Sequence, residues 1–343
     1  VKHAVGAAAP SSLWHAVGVD RDPATGEPAV ARNRRKGDPN EIDDRIHILR
    51  AGSSVWHIHD IEDVGPGGVL VNYGVHPILN RRRSTALSQD LAGDIRTAFA
   101  SRHEPWQVLF VNGAAADISP RHGYPDISKR GKELAGALKT AVLGRWASSA
   151  RRIRVRAARV TRDFGTPHAI YGVGDRPSMI EAARGGMFSG GFGGILADLV
   201  TLPVNAVIWS SGITEARVAF RFSGGAGVIA NLEMAVTENE HACGAIVLDF
   251  EADDTTGAKN DVVILWAPAE ATQALGKHWR RSIADGFLFG YTNGVMAYVT
   301  TDAEYDVESY ESRTTLYGRR TGTMVGEALE AAYQAAVSSG AGP

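Results

Sequence analysis

A single cysteine, Cys243, stands in a chain of 343 residues, so no disulfide can form within it. Its surroundings, HACGAIVL, are apolar, and they favour a small buried side chain over a reactive thiol. Neither sign of charge dominates: 36 Lys and Arg face 38 Asp and Glu, for a formal net charge of -2. That balance excludes the basic face of a dedicated nucleic-acid binder. The run Arg81-Arg82-Arg83 reads as a solvated loop. No apolar run is long and unbroken enough to span a bilayer. The richest one, 185–207, is interrupted by many glycines, Asp198 and Pro203. It reads either as a packed insertion or as the apolar wall of a substrate pocket. No internal repeat and no linker is present, so 1–343 is expected to be one domain. No signal peptide is present. The first residue, Val1, is not an initiator, which leads to the expectation that the chain is the C-terminal portion of a larger precursor. Val1 also lacks the hydroxyl or thiol of an N-terminal nucleophile.

With 44% hydrophobic and 22% charged residues, the composition is that of an ordinary globular protein. Strands are expected over 41–49, 55–60 and 69–75, with Ala51-Gly52-Ser53 as a turn. A helix capped at Ser84 or Thr85 would place Leu87, Leu91, Ile95 and Phe99 on one face. The stretch 108–121, VLFVNGAAADISPR, reads as a buried strand emptying into a small-residue loop. A second helix over 128–146 would align Leu134, Leu138, Val142 and Trp146. Residues 151–160 alternate like a half-exposed strand, and 216–265 is rich in strands. Helices follow over 271–283 and 323–337, the latter with Leu329, Ala332 and Val337 available for packing. Strand and helix alternate, so the fold class is α/β. A mixed sheet core flanked by helices is expected, with a strand-rich C-terminal half.

Several polar groups fall at strand ends: His76, Ser119 and Glu270, with Tyr298 in a further strand. Open α/β sheets bind ligands at the carboxyl ends of their strands, which suggests one shared crevice. His, Glu and a phenolic oxygen are all acceptable zinc ligands. Each also has an ordinary explanation: a satisfied histidine, a helix-capping glutamate, a strand aromatic.

Four segments together resemble the neutral/alkaline, non-lysosomal ceramidases and their bacterial relatives. Asn33-Arg34 is similar to that family's N-R-S-P segment. VNYGVHP, ending in His76-Pro77, resembles its segment with a zinc-binding histidine. NGAAADISPR resembles G-D-V-S-P-N, with Ser119 at the active-site serine. WAPAEAT and the later GYTNGVMAYVTTDAEYDVESYESRTTLYG resemble P-G-E-F-T and Y-V-T-T-x-E-E-Y…Y-E-G-A-S-T-L-Y-G. The resemblance implies a ceramidase-like fold and a Zn2+ site held by His76, Glu270 and Tyr298. It implies that Arg34 and Tyr310 hold the carbonyl or developing oxyanion, and that Ser119 positions the substrate or acts as nucleophile. The implied reaction is hydrolysis of the linear amide of an N-acyl compound, a ceramide-like lipid or another N-acyl amine or amino acid. Secretion or export to the periplasm is implied as well.

The sequence departs from the family in two places. Nothing in 1–75 matches the H-T-H-S-G-P segment that supplies the family's first zinc histidine, and the C-terminal immunoglobulin-like domain is absent. A site of His, Glu and Tyr alone would be poor. The missing histidine is therefore expected on an N-terminal chain released from the same precursor, making the enzyme a processed heterodimer. Two alternatives compete: a relative that has lost its metal and only binds, and a different metal hydrolase using the H-x-H pair His57 and His59. Replacing both His57 and His59 with alanine is predicted to leave metal content unchanged by elemental analysis. Loss of metal from that double variant would favour the H-x-H site.

Overall fold

The computed structural model describes residues 12–22, 24–34, 42–52, 68–79, 89–99, 107–121, 129, 131–133, 135–136, 146–150, 153–165, 239–250, 261–307, 310–313 and 315–339. The 185–207 insertion, His57 and His59, and the expected helix cap at Ser84 or Thr85 lie outside these residues.

Two mixed sheets form the centre. The first contains β1 (Ser12–Val19), β3 (Arg45–Gly52), β4 (Gly68–Tyr73), β5 (Gln107–Asn112) and β7 (Trp146–Ala150), in the order β5-β4-β3-β1-β7. Only the β4–β5 pair is parallel. The second contains β8 (Ile153–Asp163), β9 (Glu240–Phe250), β10 (Val262–Trp266) and β12 (Phe287–Phe289), in the order β12-β10-β9-β8, with β10 and β12 parallel. Two short ladders complete the strands. One joins β2 (Ala31–Asn33) to β6 (Ile118–Pro120), and the other joins β11 (Glu270–Ala271) to β13 (Tyr298–Val299).

Alternation along each strand divides the apolar side chains into layers. On one face of the first sheet, Ile46, Ile48, Val69 and Val71 pack with Leu91 and Ile95 of helix α1 (Asp90–Phe99). On its other face, Leu13, Leu49 and Leu70 meet Leu248, Val262, Ile264 and Phe287 of the second sheet. The far face of the second sheet carries Cys243, Ala245, Val247, Val263 and Leu265. These pack on Leu275 and Trp279 of α2 (Gln273–Ser282) and on α5 (Thr321–Ser338). The result is a helix–sheet–sheet–helix stack, the α/β class expected. Each fully buried Leu, Ile or Phe contributes about 1.5–3 kcal/mol.

Three local expectations are corrected. Ala51 and Gly52 are not a turn but continue β3, paired with Leu13 and Ser12. Trp146 does not close a helix; it opens β7 opposite Ala16, so strand pairing overrides the helical spacing. Residues 131–133 and 135–136 are helical as expected. Val337 is 37% exposed, and the buried line of α5 runs through Val325, Leu329, Ala332 and Ala336. Among the described residues, no helix is long and apolar enough to cross a membrane.

The inter-sheet layer is not wholly apolar. His15 and His47 stack with ring centroids 6.0 Å apart, and both lie within 6 Å of Phe287. Among the described residues, neither ring nitrogen of His47 finds a hydrogen-bond partner, nor does Nε2 of His15. Burial lowers the pKa of His15 from 6.5 to about 4, against the pull of Asp285. Burial lowers that of His47 as well; Arg280 and His15 push further down and Asp43 pulls back. A base depressed in the folded state binds its proton more tightly when unfolded. Its contribution is therefore complete above pH 6.5 and lost as pH falls toward 4. Stability is predicted to drop over that window, by up to about 3 kcal/mol from His15 alone. Urea unfolding at pH 7 and pH 4.5 should show a smaller drop in His15→Asn than in the wild type; equal drops would remove His15 as the cause.

Candidate active site

The candidate residues converge where the first sheet, the second sheet and α2 meet. β4 ends at Tyr73 and turns at Gly74, and His76 follows. The His76 amide donates to the carbonyl of Ile118 at 3.1 Å, which places β6 and Ser119 beside it. The adjoining β2 ladder sets Ser119 opposite Arg32 and delivers Arg34 just beyond. Glu270 begins β11, and its register partner in β13 is Tyr298. Glu270 therefore stands beside both His76 and Tyr298, as the strand-end reading expected of one crevice.

Gly74 cannot carry a side chain here. A Cβ would fall 2.5 Å from the Ala114 carbonyl oxygen and closer still to Nε2 of Gln273. Gln273, in the first turn of α2, fills that space. Its Nε2 donates to the carbonyls of Gly74 and Ala114, its Oε1 accepts from the Asp43 amide, and its own amide donates to Asp117 Oδ1. Asp117 Oδ2 accepts from Asn33 Nδ2 at 3.2 Å, and the Asp117 carbonyl accepts from the Arg34 amide at 2.7 Å. The Arg34 guanidinium donates to the Ala116 carbonyl and lies 3.5 Å from Oε1 of the buried Glu311. Glu311 belongs to the short helix α4 (Tyr310–Arg313), which follows α3 (Asp302–Asp306). Tyr310 opens α4; its side chain is outside the described residues.

The central contact is between His76 and Glu270. Nδ1 of His76 lies 2.7 Å from the Ala115 carbonyl and 2.9 Å from that of Ile118. Carbonyls only accept, so Nδ1 carries a hydrogen, and the ring turns Nε2 outward. Nε2 faces Oε1 of Glu270 at 3.0 Å, and Oε1 has no hydrogen-bond partner among the described residues. A proton carried between the two atoms, or a cation lying against both, satisfies this approach. The pair, with Tyr298 the register partner of Glu270, fits a divalent metal: nitrogen and oxygen donors, and an outer carbonyl pair that orients the imidazole. Among the described residues no group of three His, Cys, Asp or Glu side chains is clustered for a metal, so a ligand set here includes tyrosine or residues elsewhere.

Four residues not singled out from sequence belong to this site. Asp117, Gln273 and Glu311 fix its loops. Asp117 and Glu311 lie in segments that the family resemblance already covers, whereas Gln273 shows no signal beyond polarity. The fourth is Tyr291, which lies in the GYTNGV turn at the start of the last segment of the family resemblance. Burial first, then the negative Glu270 carboxylate, hold the pKa of its phenol well above the usual range. Its backbone is left-handed, φ 53°, which costs a non-glycine residue about 1–2 kcal/mol. Cys243 is inert, its thiol pushed up to about 12 by burial.

No protein-family model matches the chain, and no curated protein is similar to it in sequence. Solved structures are similar in fold. A ceramidase complexed with C2 superposes with a TM-score of 0.61 at 16% identity, covering 96% of this chain and 54% of its own. The neutral ceramidase from Pseudomonas aeruginosa gives 0.57 at 17% identity, covering 95% and 53%. The chain thus has a ceramidase fold and spans about half the length of the solved ceramidases it matches.

Gly74→Ala is predicted to cost about 1–3 kcal/mol by overpacking, because Gln273 and the Ala114 backbone must shift. Chemical denaturation measures this; a midpoint equal to wild type would mean that the turn yields freely.

Proposed function

We propose that the chain is the catalytic core of a zinc-dependent amidohydrolase that cleaves the linear amide of an N-acyl compound. A ceramide-like lipid or another N-acyl amine or amino acid is the substrate class. The observation that carries this reading is the 3.0 Å approach of His76 Nε2 to Glu270 Oε1, with Tyr298 the register partner of Glu270. The ceramidase fold supports it at the level of the reaction. His76, Glu270 and Tyr298 are the ligands this chain supplies. A further histidine is expected outside the described residues, on an N-terminal chain of the same precursor. When bound, the metal supplies Lewis acidity and an activated water.

The other residues act on the substrate. Arg34 uses part of its fork of donors on Ala116 and Glu311, and the rest are available to a substrate carbonyl. Glu311 keeps the guanidinium from swinging away. As negative charge develops on that oxygen, Arg34 and the Tyr310 hydroxyl stabilise it; one such donor is typically worth about 3 kcal/mol. Ser119, held beside His76 by the Ile118 carbonyl, positions the amide or assists proton transfer. The segment 185–207 would line an acyl pocket. Export to the periplasm or outside the cell belongs to the same reading.

Purified wild type, His76→Ala and Glu270→Gln, each with any smaller co-purifying chain, should be assayed for zinc and for hydrolysis of a panel of N-acyl amides. Both variants are predicted to lose stoichiometric zinc and at least about a hundredfold in rate, more than loss of an outer-shell partner costs. Full zinc and rate in both would end the proposal.

A further inference from the structure

Threonine is a favoured N-cap residue because its hydroxyl accepts from the free amides of the first helical turn. Thr272 occupies the N-cap position of α2 with extended backbone, φ -68° and ψ 158°, yet its side chain makes no capping bond. Its hydroxyl instead donates to Oε2 of Glu304 at 2.6 Å. That length falls in the range of charge-assisted O–H···O bonds. Thr272 is fully buried. Its hydroxyl is thus withdrawn from the helix it begins and committed to a different element.

Glu304 needs no such donor to serve its own helix. It closes the capping box of α3: its amide donates to Thr301 Oγ1 at 3.2 Å, and its Oε2 accepts from the Thr301 amide at 2.9 Å. The Thr272 bond is additional to that box, and it joins the two segments that carry Glu270 and Tyr298. Glu270 lies two residues before Thr272, and Tyr298 three before Thr301. Between them runs a parallel ladder of two register pairs, Glu270 with Tyr298 and Ala271 with Val299. That is far below ordinary strand length, so backbone pairing alone holds it weakly. The Ala271 carbonyl also accepts from the Ala116 amide at 3.1 Å, so the loop leading to Ser119 rests on the same ladder.

We infer that Thr272 is a positioning residue for the candidate metal ligands. Its hydroxyl, clamped on Glu304, locks β11 against β13 so that Glu270 stays opposite Tyr298 and within reach of His76. This rests on the metal reading above. It deepens that reading by tracing the placement of two ligands to one side-chain bond between the starts of two helices.

Three variants test it. Thr272→Val keeps the branched shape without the hydroxyl, Thr272→Ala removes the hydroxyl in a smaller side chain, and Thr272→Ser retains it. Each is purified with any smaller co-purifying chain and studied well below its melting temperature. Zn2+ affinity is measured by competition with a chromophoric chelator, alongside kcat and KM on the best-cleaved N-acyl amide of the panel and the metal-free melting temperature. In Thr272→Val and Thr272→Ala the zinc dissociation constant should rise about tenfold, the low end of the cost of losing an outer-shell partner. Their kcat should fall about tenfold with KM within about twofold, as misplacement of reacting groups requires. Thr272→Ser should return both quantities to within about twofold of wild type. A bond that only supports the fold would lower the melting temperature and leave zinc affinity and kcat unchanged. That result in a folded hydroxyl-free variant, or a serine variant no better than the valine one, overturns the role of Thr272. A wild-type protein that takes up no zinc, alone or with its co-purifying chain, overturns the metal reading and this inference together, and is a different result.

Discussion

Gln273 is the interaction on which the site depends. One buried amide side chain and one backbone N–H tie together the turn after β4, the loop after β5, the residue ahead of β3 and Asp117. Each of these segments leads within a few residues to a group proposed to act: Gly74 to His76, Asp117 to Ser119, Gln273 back to Glu270. A net hydrogen bond contributes only about 1 kcal/mol, but leaving a buried partner unsatisfied costs about 1–3 kcal/mol. The asymmetry makes the cluster all-or-none. The loops have no cheap intermediate arrangement in which some bonds are kept and others lost.

Asn72 performs a related task between the sheets. Its amide is fully buried. It donates to the carbonyls of Val111 and Leu288 and accepts from the Leu288 amide, so a side chain stands in for a missing strand between β4 and β12. At the next level out, the buried Asp43–Arg280 pair fastens α2 to the same seam. Removing one partner of such a pair strands a buried charge, which costs several kcal/mol. The polar groups between the layers thus set how the two sheets sit, while the apolar faces supply the bulk of the stabilisation.

Much of this was legible in the sequence where a signal was local. The alternation of 153–163, the apolar run at 262–266 and the spacing of Leu91 and Ile95 each placed an element on its correct face. His76, Glu270 and Tyr298 were legible as strand-end polar groups, and the structure brings them together. What failed depended on distant partners. Trp146 fits a helical stripe until β1 claims it, and Ala51-Gly52 looks like a turn until Ser12 and Leu13 pair with it. Gln273 carries no local mark, because its role consists of bonds to residues far away in the chain.

The Arg34–Glu311 contact carries a consequence for the timing of assembly. It joins the second strand of the chain to a helix near its end, across almost the whole sequence. Closing so long a loop is entropically costly before other contacts have formed, and non-local pairings are the slow ones. During synthesis the guanidinium must wait for α4 to emerge. A chain stopped short of α4 therefore lacks the buried anion that aims Arg34, and that contact forms only as α4 docks.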